Sequence, residues 1–175
     1  MLIRRAIGAE LPAVVDLVNS AYRGEAAQKG WTSEADFLAG QRTDLASLKA
    51  ELDGRDARQI LTLREERGGP LIGCCLLDRV DDDTLYLGML SVSPHAQNKG
   101  VGKRLMAAAE TYARETGAKH LRITVIQVRE ALLAWYERHG FVRTGRTEPF
   151  PYGDERFGIP LRPDLQFVVL EKKLV

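Results

Sequence analysis

The residues best arranged for chemistry lie at 90–105, Leu90-Ser91-Val92-Ser93-Pro94-His95-Ala96-Gln97-Asn98-Lys99-Gly100-Val101-Gly102-Lys103-Arg104-Leu105. A strand-like stretch ends at Val92, a proline bend follows, and two glycines open a helical pattern. In that pattern Val101, Leu105, Ala108, Ala109 and Tyr112 share one face. The first amides of a helix lack intrahelical partners, and the aligned peptide dipoles add partial positive charge there. Glycine removes the side chain that would keep an anion from the backbone. With Lys99 and Lys103 beside them, these features make a cradle for phosphate. A plainer reading stands beside this one, in which Gly100 and Gly102 only shape a tight turn and let the helix pack closely, since short glycine motifs match freely. Two phosphate motifs are excluded residue by residue. A Walker A loop needs glycine where Gln97 stands and Ser or Thr where Arg104 stands, and a dinucleotide fingerprint needs a small residue at Leu105.

The elements around this loop follow from periodicity. Residues 2–6 read as a strand, and residues 9–22 as a helix carrying Leu11, Val14, Val15, Val18 and Tyr22 on one face and ended by Gly24. Thr32-Ser33-Glu34 offers a helix start before Phe37 and Leu38, and a further helix begins at Thr43 and stops before Gly54. Residues 59–63, 71–77 and 84–92 then read as three strands joined by tight turns at Arg67-Gly68-Gly69-Pro70 and Asp81-Asp82-Asp83, an antiparallel meander. A helix over 100–115, a strand over 119–126, a helix over 128–139 and late strands over 141–146 and 166–174 complete the order. The fold class is α+β: one domain over residues 1–175, with helices around a mixed, mostly antiparallel sheet of about six or seven strands.

Composition narrows the partners. The chain has 175 residues, enough to bury a core without staples, and is 45% hydrophobic and 28% charged. Its 25 basic and 24 acidic residues give a net charge of +1, with no basic stripe to draw a nucleic acid. The adjacent Cys74 and Cys75 point to opposite faces of a strand, are poorly placed to bridge each other, and lack metal-ligand spacing, so no metal is expected. The N-terminal apolar pattern is broken by Glu10 and Asp16, and no other apolar run approaches the length of a bilayer span. The expectation is a cytoplasmic protein that engages no membrane.

Gln97-Asn98-Lys99-Gly100-Val101-Gly102 resembles the Q/R-x-x-G-x-G/A signature of the GNAT superfamily of acetyltransferases. The resemblance extends over residues 84–141, through the preceding strand, the following helix and strand, and a second helix ending Tyr136-Glu137-Arg138-His139-Gly140-Phe141. It implies acetyl-coenzyme A as cosubstrate, with Gln97, Asn98, Lys99, Gly100, Val101, Gly102 and Lys103 around its pyrophosphate. The backbone of Leu90, Ser91 and Val92 would then pair with the pantetheine arm where two strands splay apart. An open strand edge has unpaired groups for the two pantetheine amides. The acceptor implied is the amine of a small molecule or peptide, and the oligomeric state stays open, a homodimer included.

Expelling coenzyme A produces a thiolate. A free thiol has a pKa of roughly 8.5 and a phenol roughly 10, so a tyrosine stays protonated near neutrality and can donate to sulfur. Tyr136 occupies the position of the proposed general acid in the proteins this chain resembles. On spacing alone it reads as one more core residue beside Leu132 and Leu133, and it is the glycine loop at the right distance upstream that favours the sulfur-facing role. Arg129 stands where related sequences often carry Asn; contact with the cofactor, with an acidic acceptor, or with solvent alone all remain open. Residues 84–92 hold no carboxylate, although many relatives carry a glutamate there, so the base that deprotonates the amine comes from elsewhere or acts through water, or the acceptor is weakly basic. Glu34, Asp36 and Asp154 are candidates by elimination, each otherwise a surface charge. The acceptor is expected against residues 22–37, including Trp31, and against the aromatic loop at 149–160. The missing carboxylate and Arg129 also leave room for a catalytically silent acyl-coenzyme A sensor.

Overall fold

In the computed structural model, which describes residues 1–23 and 33–174, four helices and nine strands run in the order β1 (Leu2–Arg5), α1 (Leu11–Tyr22), β2 (Leu38–Ala39), α2 (Leu45–Leu52), β3 (Arg58–Arg64), β4 (Leu71–Arg79), β5 (Thr84–Val92), α3 (Val101–Glu115), β6 (His120–Ile126), α4 (Glu130–Arg138), β7 (Val142–Pro149), β8 (Ile159–Pro160) and β9 (Gln166–Lys173). Seven strands form one sheet in the order β1-β3-β4-β5-β6-β9-β7, and β2 and β8 form a two-stranded ladder apart from it. Within the large sheet only β5 and β6 run parallel. The helix between them, α3, is the crossover that such a pair requires.

The sheet separates two apolar layers. Side chains alternate across a strand, so Cys74 and Leu76 join α1 and α2 on one face while Cys75 and Leu77 join α3 and α4 on the other. Leu105 and Ala109 of α3 are fully buried in the second layer, where a leucine contributes about 1.5–3 kcal/mol. A third cluster of Phe37, Leu38, Ile126, Phe150 and Leu165 closes the end of the sheet near β9. Asp44 caps α2 by accepting from the Ser47 amide at 2.8 Å, and Gly54, at φ +71°, supplies the left-handed residue just beyond its end.

Residues 33–39 correct one expectation. Thr32 lies outside the described residues, and from Ser33 the chain makes a single turn, with the Phe37 and Leu38 amides donating to the Glu34 carbonyl. It then enters β2, because Leu38 pairs with Pro160 and Ala39 with Ile159. Gly40, at φ +76°, ends the strand.

The feature that shapes the rest is the separation of β5 from β6. Their register covers only Thr84–Tyr86 against His120–Arg122, and residues 87–92 run on without a partner strand on that side. The β4–β5 ladder shifts between Cys74 and Leu76, so two residues of β5, Met89 and Leu90, oppose one of β4. Met89 has φ +51°. Such a bulge increases local twist and bends its strand, which here steers β5 away from β6.

Candidate active site

Where β5 and β6 part, a cleft of about 260 Å³ opens between them. Leu87, Ile123, Val125 and Tyr136 line it from the α3/α4 side. Tyr86, Gly88 and Thr124 belong by alternation to the other face, where the Tyr86 hydroxyl and Thr124 Oγ1 are 2.9 Å apart. The cleft therefore passes through the sheet, and groups approaching from opposite faces can meet inside it.

Two residues further along β5 lies a groove of about 250 Å³ lined by Val92, Gln97, Asn98, Gly100, Val101, Gly102, Lys103, Trp135 and His139. Gly100 is the N-cap of α3 at φ +73°, with no side chain capping the helix, and Asn98 is also left-handed at φ +67°. The tight-turn requirement thus explains Gly100. It does not explain Gly102, whose Cβ would stand 3.6 Å from the Trp135 ring and 3.7 Å from Val92, in ordinary contact but projecting into the groove. Lys103 borders the groove, whereas Lys99 turns outward to Glu65 at 3.1 Å. Leu90 lines the cleft and its carbonyl accepts from the Tyr22 hydroxyl. Ser91 is buried, its hydroxyl donating to the Met89 carbonyl at 2.9 Å.

Tyr136 is buried, its ring edge-on to Trp135 and to Phe141 with centroids 4.9 and 5.4 Å apart. Among the described residues its hydroxyl has no hydrogen-bond partner. Burial pushes the phenol well above its ordinary pKa, and raises the pKa of Tyr22 and Tyr86 as well.

Arg129 is not solvated. It is the N-cap of α4, one residue before the helix begins; its guanidinium lies 5.5 Å from the centre of the Tyr22 ring and pairs with Glu34 at 3.0 Å. Arg23 takes the second oxygen of Glu34. All three side chains are at least nine-tenths buried, so Glu34 is not a surface charge but a carboxylate held between two guanidiniums at one end of the cleft. Asp36 is exposed, and Asp154 lies outside the cleft, clamped by Arg156 through contacts of 2.6 and 2.8 Å.

Among the cleft and groove residues that escaped the sequence reading are Trp135, His139, Glu148 and Arg42. Trp135 and His139 wall the glycine groove, one helical turn apart, and that i, i+4 spacing could have marked them once the helix was placed. Glu148 of β7 and Arg42, between β2 and α2, line the cleft. Glu148 pairs in register with Phe167 and so shares its face, the one opposite Tyr136. Among the described residues neither Glu148 nor Arg42 has an ion pair. No sequence spacing marks either of them. Of the segments expected to meet the acceptor, Tyr22, Arg23, Glu34 and Phe150 line the cleft, and Trp31 lies outside the described residues.

The splayed mixed sheet with a glycine-opened helix beside the splay is the arrangement that the resemblance implies, and comparison with known proteins agrees with it. Residues 13–141 match the model of the Acetyltransferase (GNAT) family, and the chain belongs to that family. It is 32% identical over 146 residues to the uncharacterised N-acetyltransferase YhfO of Bacillus subtilis (strain 168), covering 81% of this chain and 89% of the relative. Among solved structures it resembles a ribosomal-protein-alanine N-acetyltransferase from Brucella melitensis, at 23% identity, a TM-score of 0.69 and 99% coverage of both chains. It also resembles yncA of Salmonella typhimurium, an acetyltransferase by description and solved with its cofactor acetyl-CoA, at 20% identity and a TM-score of 0.69, covering 100% of this chain and 94% of that one. At these identities the two structures speak for the fold alone. No described helix is long and apolar enough to cross a membrane, and no group of three or more His, Cys, Asp or Glu among the described residues could hold a metal ion.

Proposed function

We propose that the chain moves the acetyl group of acetyl-coenzyme A directly to the amine of a small molecule or peptide. The observation that carries this reading is the cleft through the sheet, with a proton donor on one face and an unpaired carboxylate on the other. The cosubstrate fits the residues present. The uncapped N-terminus of α3 suits phosphates, the groove at Gly102 is space a side chain would fill, and the unpaired edge of β5 suits amides. Gln97, Asn98, Gly100, Val101, Gly102 and Lys103 would hold the pyrophosphate, with Lys99 adding charge from outside, and the backbone of Leu90, Ser91 and Val92 would line the arm.

Acetyl-coenzyme A supplies an activated thioester. On the α1/α2 face Glu148 takes a proton from the acceptor ammonium, directly or through one water, and frees the nitrogen lone pair. The new C–N bond forms as the C–S bond breaks, and the nitrogen sheds its surplus proton to water; the Tyr136 hydroxyl, kept protonated by burial, donates its proton to the departing sulfur and is reprotonated from solvent. Acid and base then stand on opposite faces of the sheet, each beside the group it serves. Glu148 offers the carboxylate that β5 lacks, which supports transfer over a silent sensor. The two free thiols, Cys74 and Cys75, suit a reducing, cytoplasmic setting.

The test is thermal unfolding against ligand concentration. Acetyl-coenzyme A should raise Tm progressively, by the equivalent of about 2.7 kcal/mol at one hundred times Kd. An unmoved transition at saturating acetyl-coenzyme A, with a rise in ATP or NAD, would overturn the reading.

A further inference from the structure

We infer that the acceptor carries a carboxylate beside its amine, and that Arg42 is the residue that receives it. The inference deepens the acetyl-transfer reading and rests on it. On the α1/α2 face the cleft adjoins a second cavity of about 430 Å³, and the two share Arg42, Tyr86, Gly88 and Met89. The cleft alone is smaller than the roughly 300–1,000 Å³ usual for a ligand pocket, so an acceptor meeting the thioester there extends into this neighbour. Gly88 forms part of its floor; a Cβ at that position would come within 2.7 Å of the Tyr86 ring, and glycine lets the ring lie along the strand and keeps the passage open.

The second cavity is walled by four arginines, and their partners separate them. Arg58 is held by Asp78 and Glu51, Arg55 by Asp78 at 3.6 Å, and Arg156 by Asp154. Arg42 has neither an ion pair nor a side-chain hydrogen bond among the described residues, and of the four it alone also lines the cleft. Its backbone is fixed: Asn19 Oδ1 accepts from the Arg42 and Thr43 amides at 2.7 and 3.1 Å, and Asn19 Nδ2 donates to the Thr43 carbonyl at 2.9 Å. The result is one uncompensated guanidinium on a half-buried wall, anchored to α1. Its planar fork matches a carboxylate through two parallel hydrogen bonds. One spare positive charge balances a carboxylate and leaves a phosphate dianion half neutralised. Arg42 and Glu148 line the same cleft, so a molecule bearing both groups can set its carboxylate on one and its amine by the other.

The experiment compares α-amino acids with their α-carboxamides as acceptors, with phosphoethanolamine as the phosphate-bearing amine. In the wild type kcat/KM should favour carboxylates over carboxamides by about 10-fold or more, consistent with a charge-assisted bidentate contact. Arg42→Gln should erase that preference, mainly through KM for the carboxylates, and Arg42→Lys should restore part of it. Equal use of acids and amides by the wild type, an equal loss on both in Arg42→Gln, or a clear preference for phosphoethanolamine would overturn the inference. If no amine releases thiol, the transfer reading fails separately, and calorimetry of the protein loaded with coenzyme A still decides on Arg42. N-acetylated amino acids should then bind more tightly than their carboxamides, a difference lost in Arg42→Gln; equal binding would sink the proposal.

Discussion

Replacing Tyr136 with phenylalanine removes one oxygen from the centre of the proposed mechanism and leaves the ring. That ring packs between Trp135 and Phe141, and the hydroxyl has no partner among the described residues to be orphaned. The cost in stability should therefore be about 1 kcal/mol or less. Catalysis should respond differently. If the hydroxyl protonates the departing sulfur, kcat should fall by roughly 100-fold, the usual contribution of a positioned acid. Affinity for acetyl-coenzyme A should barely change, because proton donation strengthens in the transition state and not in the ground state. Burial raises the phenol's pKa, so the acid form persists well into alkaline solution, and the wild-type rate should show no falling limb from this residue below about pH 10. The assay is steady-state thiol release for both proteins across pH, with affinity from calorimetry. Normal turnover by Tyr136→Phe would return the residue to the core and refute the argument. A parallel loss of affinity and rate would make it a cofactor contact instead.

Glu34→Ala should destabilise the fold by about 3–5 kcal/mol in urea unfolding, because Arg23 and Arg129 would be left buried without their shared carboxylate; a loss below about 1 kcal/mol would mean the cluster is hydrated. Cys74 and Cys75 are fully buried, and burial pushes the Cys74 thiol up to about 12 and Cys75 higher still. At pH 8 neither should react with a thiol reagent in the native protein, and both should react in urea; rapid native labelling would contradict this packing.

Most of the fold was legible because its signals are local. Alternation in residues 59–63, the short apolar run at 71–77 bounded by turn residues, a 3.6-residue period after Gly100, and glycines beyond helix ends each mark an element without knowledge of the rest. The β2–β8 ladder was not legible, since two residues carry no periodicity and Leu38 becomes a strand residue only by meeting Pro160. The site divided the same way. The glycine loop and Tyr136 sit in a contiguous pattern, whereas Glu148 faces the cleft only because β7 pairs with β9 in one register, and Arg42 only because Asn19, 23 residues earlier, holds its backbone. Glu34 looked like a surface charge because its two arginines come from distant segments. A charge's environment is a long-range property, and the sequence lists charges without their neighbours.

The proposed transfer requires an acetyl group and an amine to meet in the cleft between β5 and β6. The direct measurement incubates the protein with acetyl-coenzyme A and a panel of amines, counting free thiol and identifying acetylated product by mass spectrometry. One N-acetylated amine is expected for each thiol released, with the rate falling sharply in Glu148→Gln. Tight binding of acetyl-coenzyme A with no acetylated amine from any acceptor would contradict it and would make the protein a sensor of the cosubstrate.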